Sequence, residues 1–260
     1  MNPEFCSVAR EGRLTIVTLN RPQAMNALHS AAHFELSHIF DEFAGDPDQW
    51  VAIITGAGEK AFCAGSDLKA IAKGTSNERP TSGFAGLTSR FDLVKPVIAA
   101  VNGVAMGGGF EIALACDLVV ASSNAVFALP EPRVGLTAFA GGMHRLPRQI
   151  GMKHAMGLIL TGRRIDAREA LSMGIVNEVV APPELMAAAR KWAGWILECS
   201  PMAVRASKEA AMRGLSEASV EAALSAQAGY PAVKAWKASD DYVEGPHAFA
   251  DKRKPEWKGR

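Results

Sequence analysis

Residues 95–121 read KPVIAAVNGVAMGGGFEIALACDLVVA, and this stretch decides how the chain is interpreted. An apolar run is followed by a turn at Asn102-Gly103, by the glycines 107–109, by an apolar helical segment and by a second apolar run. Glycines at the start of a helix let a ligand approach the backbone closely, and the first-turn N–H groups have no partner inside the helix. The pattern therefore predicts a site for an anion or an oxyanion.

Glu111 is unusual because its helical neighbours are apolar, and ionised carboxylates are rarely buried without a partner or a purpose. Gly108 and Glu111 are three residues apart, so on a helix they share a face and one ligand can touch both. The alternative is that Glu111 only favours the positive end of the helix dipole, a contribution of under about 1 kcal/mol. The coincidence of the glycines and the acid favours a functional interpretation.

A second segment, AFCAGSDLKAI at residues 61–71, has the same order of apolar run, small-residue turn and helix. The backbone N–H of Ala64 lies in this turn and is a candidate second donor. Ser66 or Asp67 can cap the following helix, so a plain helix cap is the alternative interpretation.

Glu131 lies between Pro130 and Pro132 at the end of the apolar run FAL. The prolines restrict the backbone on both sides, so the carboxylate is aimed in one direction, as acid–base chemistry requires. An exposed turn carboxylate paired with Arg133 is the alternative, and the local sequence leaves both interpretations open.

Composition limits the possible functions. The chain has 260 residues, 48% of them hydrophobic, and a net charge of +1, so no overall field favours nucleic acid or an anionic membrane. The four cysteines show no metal-ligand spacing and are typical of reduced thiols. The N-terminal residues resemble neither a signal nor a transit peptide, so a cytoplasmic protein is expected.

The remaining pattern predicts an α/β protein. Apolar runs at 14–19, 51–55, 126–129 and 175–180 predict strands, helices are expected from Ser30, near 87–93 and from 143 onward, and the last sixty residues are expected to be helical. Residues 73–86 are polar and predict a mobile loop over the site. Residues 56–61, GAGEKA, match a dinucleotide fingerprint, but a turn follows them where that fingerprint requires a helix.

The motifs taken together resemble the crotonase (enoyl-CoA hydratase/isomerase) superfamily over nearly the whole chain, and several are similar to its carnitinyl-CoA dehydratase branch. They are LNRPQAMNAL, AFCAGSDLKAI, PVIAAVNGVAMGGGFEIALACDLVVAS, FALPEPRVGLTAFAGGMHRLPR, LTGRRIDAREALSMGIVNEVV and EGPHAFADKRKPEWKGR. The resemblance implies a spiral of repeated ββα units over residues 1–198. It also implies a helical region over 199–260 that assembles homotrimers, commonly paired into hexamers.

The resemblance also implies roles for individual residues. Ala64 and Gly108 would hold the thioester oxygen of an acyl-CoA, whose coenzyme A is part of the substrate, with no separate cofactor or metal. Glu131 would shuttle the main proton, and Glu111 would hold and activate water. Residues implied in contacts with coenzyme A are Arg21, Ala24, Met25, Ala64, Gly65, Ser66, Asp67, Leu68 and, from a neighbouring subunit, Phe249 and Lys252. A Pro-Gly pair found after the second acid in many hydratases is missing, and Phe139 is expected to face the acyl pocket and narrow it.

Three functions follow from these expectations. The leading one is an acyl-CoA hydratase or dehydratase that uses both acids. An isomerase that moves the double bond between Cβ–Cγ and Cα–Cβ needs one acid and no activated water. A non-catalytic relative that binds acyl-CoA or RNA is the third, and the near-neutral charge speaks against a primary role in nucleic-acid binding.

Overall fold

The computed structural model describes residues 3–74 and 76–260. The strands are β1 Cys6–Glu11, β2 Leu14–Leu19, β3 Val51–Gly56, β4 Ala61–Cys63, β5 Val97–Val101, β6 Val104–Met106, β7 Leu118–Ser122, β8 Val126–Ala128, β9 Ile165–Asp166 and β10 Glu178–Val180. The α-helices are α1 Ser30–Gly45, α2 Leu68–Ala72, α3 Gly108–Ala115, α4 Gly142–Ile150, α5 Met152–Thr161, α6 Ala167–Ser172, α7 Leu185–Leu197, α8 Pro201–Gly214, α9 Val220–Ala226, α10 Pro231–Lys237 and α11 Asp240–Ala250.

The strands form two sheets. The larger has the order β1-β2-β3-β5-β7-β10 and is parallel except for the antiparallel pair β1 and β2. The smaller has the order β4-β6-β8-β9, in which β4, β6 and β8 are parallel and β9 is antiparallel to β8. From β3 to β8, successive strands along the chain alternate between the sheets. Each of the units β3-β4-α2 and β5-β6-α3 therefore supplies one strand to each sheet and one helix.

This alternation determines where the site lies. The turn before α2, the N-terminus of α3 and a 3₁₀ turn at Glu131–Val134 follow β4, β6 and β8, which are parallel neighbours in the smaller sheet. Since parallel strands end at the same edge of a sheet, the three segments meet there. The predicted α/β fold of repeated ββα units is confirmed.

The larger sheet is buried on both faces, which explains its continuous apolar strands. In β3, Ala52 and Ile54 join a core that includes α1 and α3. The alternate residues Val51 and Ile53 join a second core against α7. The period of two along a strand thus distributes one apolar run between two cores.

The C-terminal helices α8–α11 have a small apolar cluster of their own, formed by Ala206, Tyr230 and Val233. The chain then returns to the main body, where the Trp257 indole N–H donates to the Glu198 carbonyl at 2.9 Å. The division into a region 1–198 and a helical region 199–260 stays a prediction. Within the described part of the chain, no helix combines the length and apolar composition needed to cross a membrane.

Several sequence expectations were wrong in detail. β1 and β6 were not predicted, and residues 87–93 form turns where a helix was expected. The loop at 73–86 was predicted to be mobile and superficial, but Phe84, Ala85 and Gly86 form a buried 3₁₀ turn at its end; Thr75 lies outside the described residues. After the GAGEKA motif the chain enters β4, so no helix opens there to receive a pyrophosphate.

Candidate active site

Gly65 and Gly108 bring two chain segments into contact at the edge of the smaller sheet. A Cβ atom on Gly65 would lie 2.8 Å from the Met106 carbonyl oxygen and 3.1 Å from the Gly108 nitrogen, and the φ of Gly65 is +90°. Both the close approach and the backbone angle require glycine. The amide of Gly108 therefore lies directly beside the turn that follows β4.

Gly108 is the first residue of α3, and its N–H has no acceptor among the described residues. A Cβ on Gly108 would overlap the ring of Phe84, so this ring covers the start of the helix. An N–H without an acceptor at a helix N-terminus, where the dipole favours negative charge, thus lies next to an aromatic ring.

Ala64 was expected to supply the second free donor, and this prediction is wrong. The Ala64 N–H donates to the Met25 carbonyl at 3.0 Å. The two neighbours of Ser66 both form hydrogen bonds with Leu28. The Leu28 N–H donates to the Gly65 carbonyl at 2.8 Å, and the Asp67 N–H donates to the Leu28 carbonyl at 2.9 Å. Consecutive N–H groups of an extended chain point to opposite sides, so the Ser66 N–H points away from Leu28, and no described acceptor meets it.

Glu111 lies in the first turn of α3 and is only 3% exposed. Its Oε1 accepts a hydrogen bond from the Gly142 N–H at the start of α4, 2.9 Å. Burial raises the pKa of Glu111 to about 7, and the charge of Glu131 adds to this increase, while the N–H groups of Gly142 and Ala140 oppose it. The carboxyl group therefore changes its protonation near neutral pH.

Glu131 points inward, which resolves the choice left open by the sequence. A Cβ on Gly107 would lie 2.9 Å from Glu131 Oε1, and Oε2 is buried with no described hydrogen-bond partner. Arg133 makes no pair with it, since its Nε donates to the Thr161 carbonyl at 3.0 Å. Burial raises the pKa of Glu131, and its own backbone N–H opposes this. The buried Glu111 and the half-buried Glu131 thus both face the start of α3.

Known proteins are similar to this chain in sequence and in fold. The sequence profile of the enoyl-CoA hydratase/isomerase family matches residues 9–260. The chain belongs to this family. A carnitinyl-CoA dehydratase of Proteus mirabilis is 48% identical over 256 residues, 96% of each chain, and one of Escherichia coli O157:H7 is 48% identical over 264 residues, 99% of each.

Solved structures of the same family agree with the fold. An enoyl-CoA hydratase of Mycobacterium tuberculosis superposes with a TM-score of 0.92 at 39% identity, over 98% of this chain and 99% of that one. A carnitinyl-CoA hydratase of Mycobacterium avium gives a TM-score of 0.78 at 41% identity, over 99% and 100%.

The residues expected to bind coenzyme A lie in two regions of the chain. Near the site, Arg21 forms an ion pair with Asp67 at 3.0 Å. Ala24, Met25, Gly65 and Ser66 lie in the adjoining turns, and Leu68 begins α2. Phe249 and Lys252 are exposed at and just after the end of α11, and no hydrogen bond or ion pair joins them to the described site residues. Their proposed contact from a neighbouring subunit stays a prediction.

Phe139 does not line the interior of the described chain as expected. Its side chain is 83% exposed, whereas its neighbour Ala138 is buried and packs near Gly142. The sequence analysis also missed Phe84, because a polar, proline-broken segment precedes it. The sequence feature that could have indicated Phe84 is the short apolar run FAGL at residues 84–87, which is buried throughout.

Proposed function

We propose that this chain adds water to, or removes water from, the α,β double bond of an enoyl-CoA thioester. The observation that carries the proposal is the pair of inward-facing acids, Glu111 and Glu131, beside the free N–H of Gly108. Hydration needs one group that accepts the proton of water and one that delivers a proton to carbon. Two acids with raised pKa values near one site supply one ionised and one protonated group.

In the proposed mechanism, the thioester oxygen is bound by the N–H groups of Ser66 and Gly108. Glu111 holds the water and takes its proton as the oxygen bonds to Cβ, and the negative charge moves to the thioester oxygen as an enolate. Glu131 then delivers a proton to Cα, and its unpartnered Oε2 is placed for this transfer. Dehydration follows the same steps in reverse. Neither step requires a group other than the thioester, water and these residues.

Incubation with a 2-enoyl-CoA in ¹⁸O-labelled water tests this function. The proposal expects a 3-hydroxyacyl-CoA that carries one ¹⁸O atom at Cβ. A control with a 3-enoyl-CoA measures isomerisation, which incorporates no label. Turnover of the 3-enoyl substrate without any labelled product from the 2-enoyl substrate would contradict the proposal and support the isomerase.

An ester bond in place of the peptide N–H tests the role of Ser66. Incorporation of the α-hydroxy analogue of serine at residue 66 replaces the backbone N–H by an ester oxygen. The side chain of residue 66 is unchanged. We expect kcat to fall by about 100-fold or more, as for loss of an oxyanion donor in other enzymes. The matched control is the same exchange at Ala64, which removes the bond to Met25 O and is expected to affect stability more than kcat. If the exchange at Ala64 lowered kcat more than the exchange at Ser66, Ala64 would be the donor to the thioester oxygen.

We also propose that the chain assembles as a homotrimer or a pair of trimers. Support comes from the apolar side chains that one chain leaves exposed on α5 and in the C-terminal helices, namely Met152, Leu160, Met212, Leu215, Val220 and Leu224. Sedimentation velocity is expected to give a particle of three or six times the 27.6 kDa chain mass. A monomer at micromolar concentration would contradict this.

A further inference from the structure

Arg79 places a positive charge beside the proposed site. Its guanidinium carbon lies 5.2 Å from the centre of the Phe84 ring, and the far edge of that ring covers Gly108. The side chain is half-buried, and no described carboxylate forms an ion pair with it, although every acidic residue of the chain lies within the described ranges. A single cation–π contact is weak, so it does not by itself explain why a charge is held here.

His33 packs on the same Phe84 ring but is closed to a ligand, because its side chain and its Nε2 atom are fully buried. Its ring centre lies 4.4 Å from that of Phe84, and its side chain is fully buried. Nδ1 accepts a hydrogen bond from the Ala85 N–H at 3.1 Å, so the hydrogen of the neutral ring is on Nε2, which is buried without a described partner. Burial lowers the pKa of His33 to about 3, and the charges of Arg79 and His29 act in the same direction, so the ring is neutral at physiological pH.

The unpaired guanidinium indicates the chemistry of the ligand that would bind it. A guanidinium carries one positive charge and several N–H donors in one plane, and the neutral His33 ring adds no second charge beside it. The group that satisfies these donors is an anion with two or more acceptor oxygens, and a carboxylate matches the planar fork of arginine. The two acids do not fill this role, because neither forms an ion pair with Arg79 and Glu111 keeps a raised pKa in its presence.

We propose that the acyl group bound here ends in a carboxylate, held by Arg79. This inference rests on the proposed function and names its substrate class, a short enoyl-CoA that carries a second, free carboxylate. A carnitinyl group ends in a trimethylammonium cation, which Arg79 would repel. The chain therefore differs in acyl preference from relatives that are named for the carnitinyl group.

Matched acyl groups test this preference. Glutaconyl-CoA carries the tail carboxylate, 5-methylhex-2-enoyl-CoA replaces it by an isopropyl group of the same shape, and crotonobetainyl-CoA carries the cation. We expect the wild-type ratio of kcat/KM for the carboxylate over the isopropyl substrate to exceed about 10 and to fall by about 10- to 100-fold in Arg79→Met. Arg79→Lys is expected to keep part of the ratio. Arg168→Met, which removes an exposed charge on α6, is the control and is expected to keep all of it.

Binding of the saturated thioesters separates this inference from the proposed function. Titration calorimetry should show tighter binding of glutaryl-CoA than of 5-methylhexanoyl-CoA, and Arg79→Met should remove the difference. If the wild type hydrates the enoyl-CoAs but shows no carboxylate preference, or if Arg79→Met leaves the ratio unchanged, the inference is overturned and the proposed function stands. If no substrate is hydrated but the glutaryl preference and its loss in Arg79→Met are observed, the proposed function fails and carboxylate recognition stands.

Discussion

Glu131→Gln is expected to lower kcat for enoyl-CoA hydration by about 1,000-fold or more. The amide has the shape of the acid, so the 3₁₀ turn at Glu131–Val134 and the contact with Gly107 are retained. An amide cannot deliver a proton to Cα, and loss of a positioned acid or base typically costs a factor of about 100 to 10,000. Because the substrate still meets the N–H of Gly108, KM is expected to change much less than kcat. Initial rates with a 2-enoyl-CoA measure both.

The control for this variant is Glu184→Gln. Glu184 also lies in a proline-containing 3₁₀ turn, at Pro182–Glu184, but its side chain is exposed. It is expected to leave kcat at the wild-type value. If Glu131→Gln kept more than a tenth of the wild-type kcat, with an unchanged thermal unfolding temperature, the assignment of Glu131 as the proton donor would be refuted.

Local patterns were sufficient to predict the acids and the helix that carries one of them. An apolar run, a turn, three glycines and a single acid in an apolar helix are all features of neighbouring residues, and the structure places β5 and α3 at Val97–Val101 and Gly108–Ala115. The sequence left open whether Glu131 points inward or is exposed. Its direction depends on a contact with Gly107, which is distant in sequence, so local patterns could not decide it.

The direction of a backbone N–H depends on more distant contacts. Ala64 and Ser66 lie in one turn, and no local feature distinguishes their amides. The choice is made by the loop at Met25–Leu28, whose carbonyls accept from Ala64 and Asp67 and leave Ser66 without a partner. Similarly, Phe84 follows a polar segment, and only its packing on Gly108 and His33 reveals its place in the site.

Glu111→Gln is expected to make the protein both more stable and less active at pH 8. Burial raises the pKa of Glu111 from 4.5 to about 7. At pH 8 the wild type therefore holds an ionised carboxylate in a buried position, and this lowers its unfolding free energy. The neutral amide avoids this, and its oxygen can still accept from the Gly142 N–H. A shift of this size corresponds to about 3 kcal/mol of unfolding free energy. The same variant is expected to lose about 100-fold or more in kcat, because it cannot take a proton from water.

The dependence on pH distinguishes this cause from a general packing effect. A carboxyl whose folded pKa is raised contributes stability that is fully present below its unfolded pKa of 4.5 and is lost as the pH rises through about 7. The amide has no such dependence. Thermal unfolding of both proteins at one protein concentration should therefore give equal midpoints near pH 4 and a growing advantage of Glu111→Gln between pH 5 and 8. A constant difference across that range would mean that Glu111 is not a destabilised acid, and its proposed proton transfer near neutral pH would lose its physical basis.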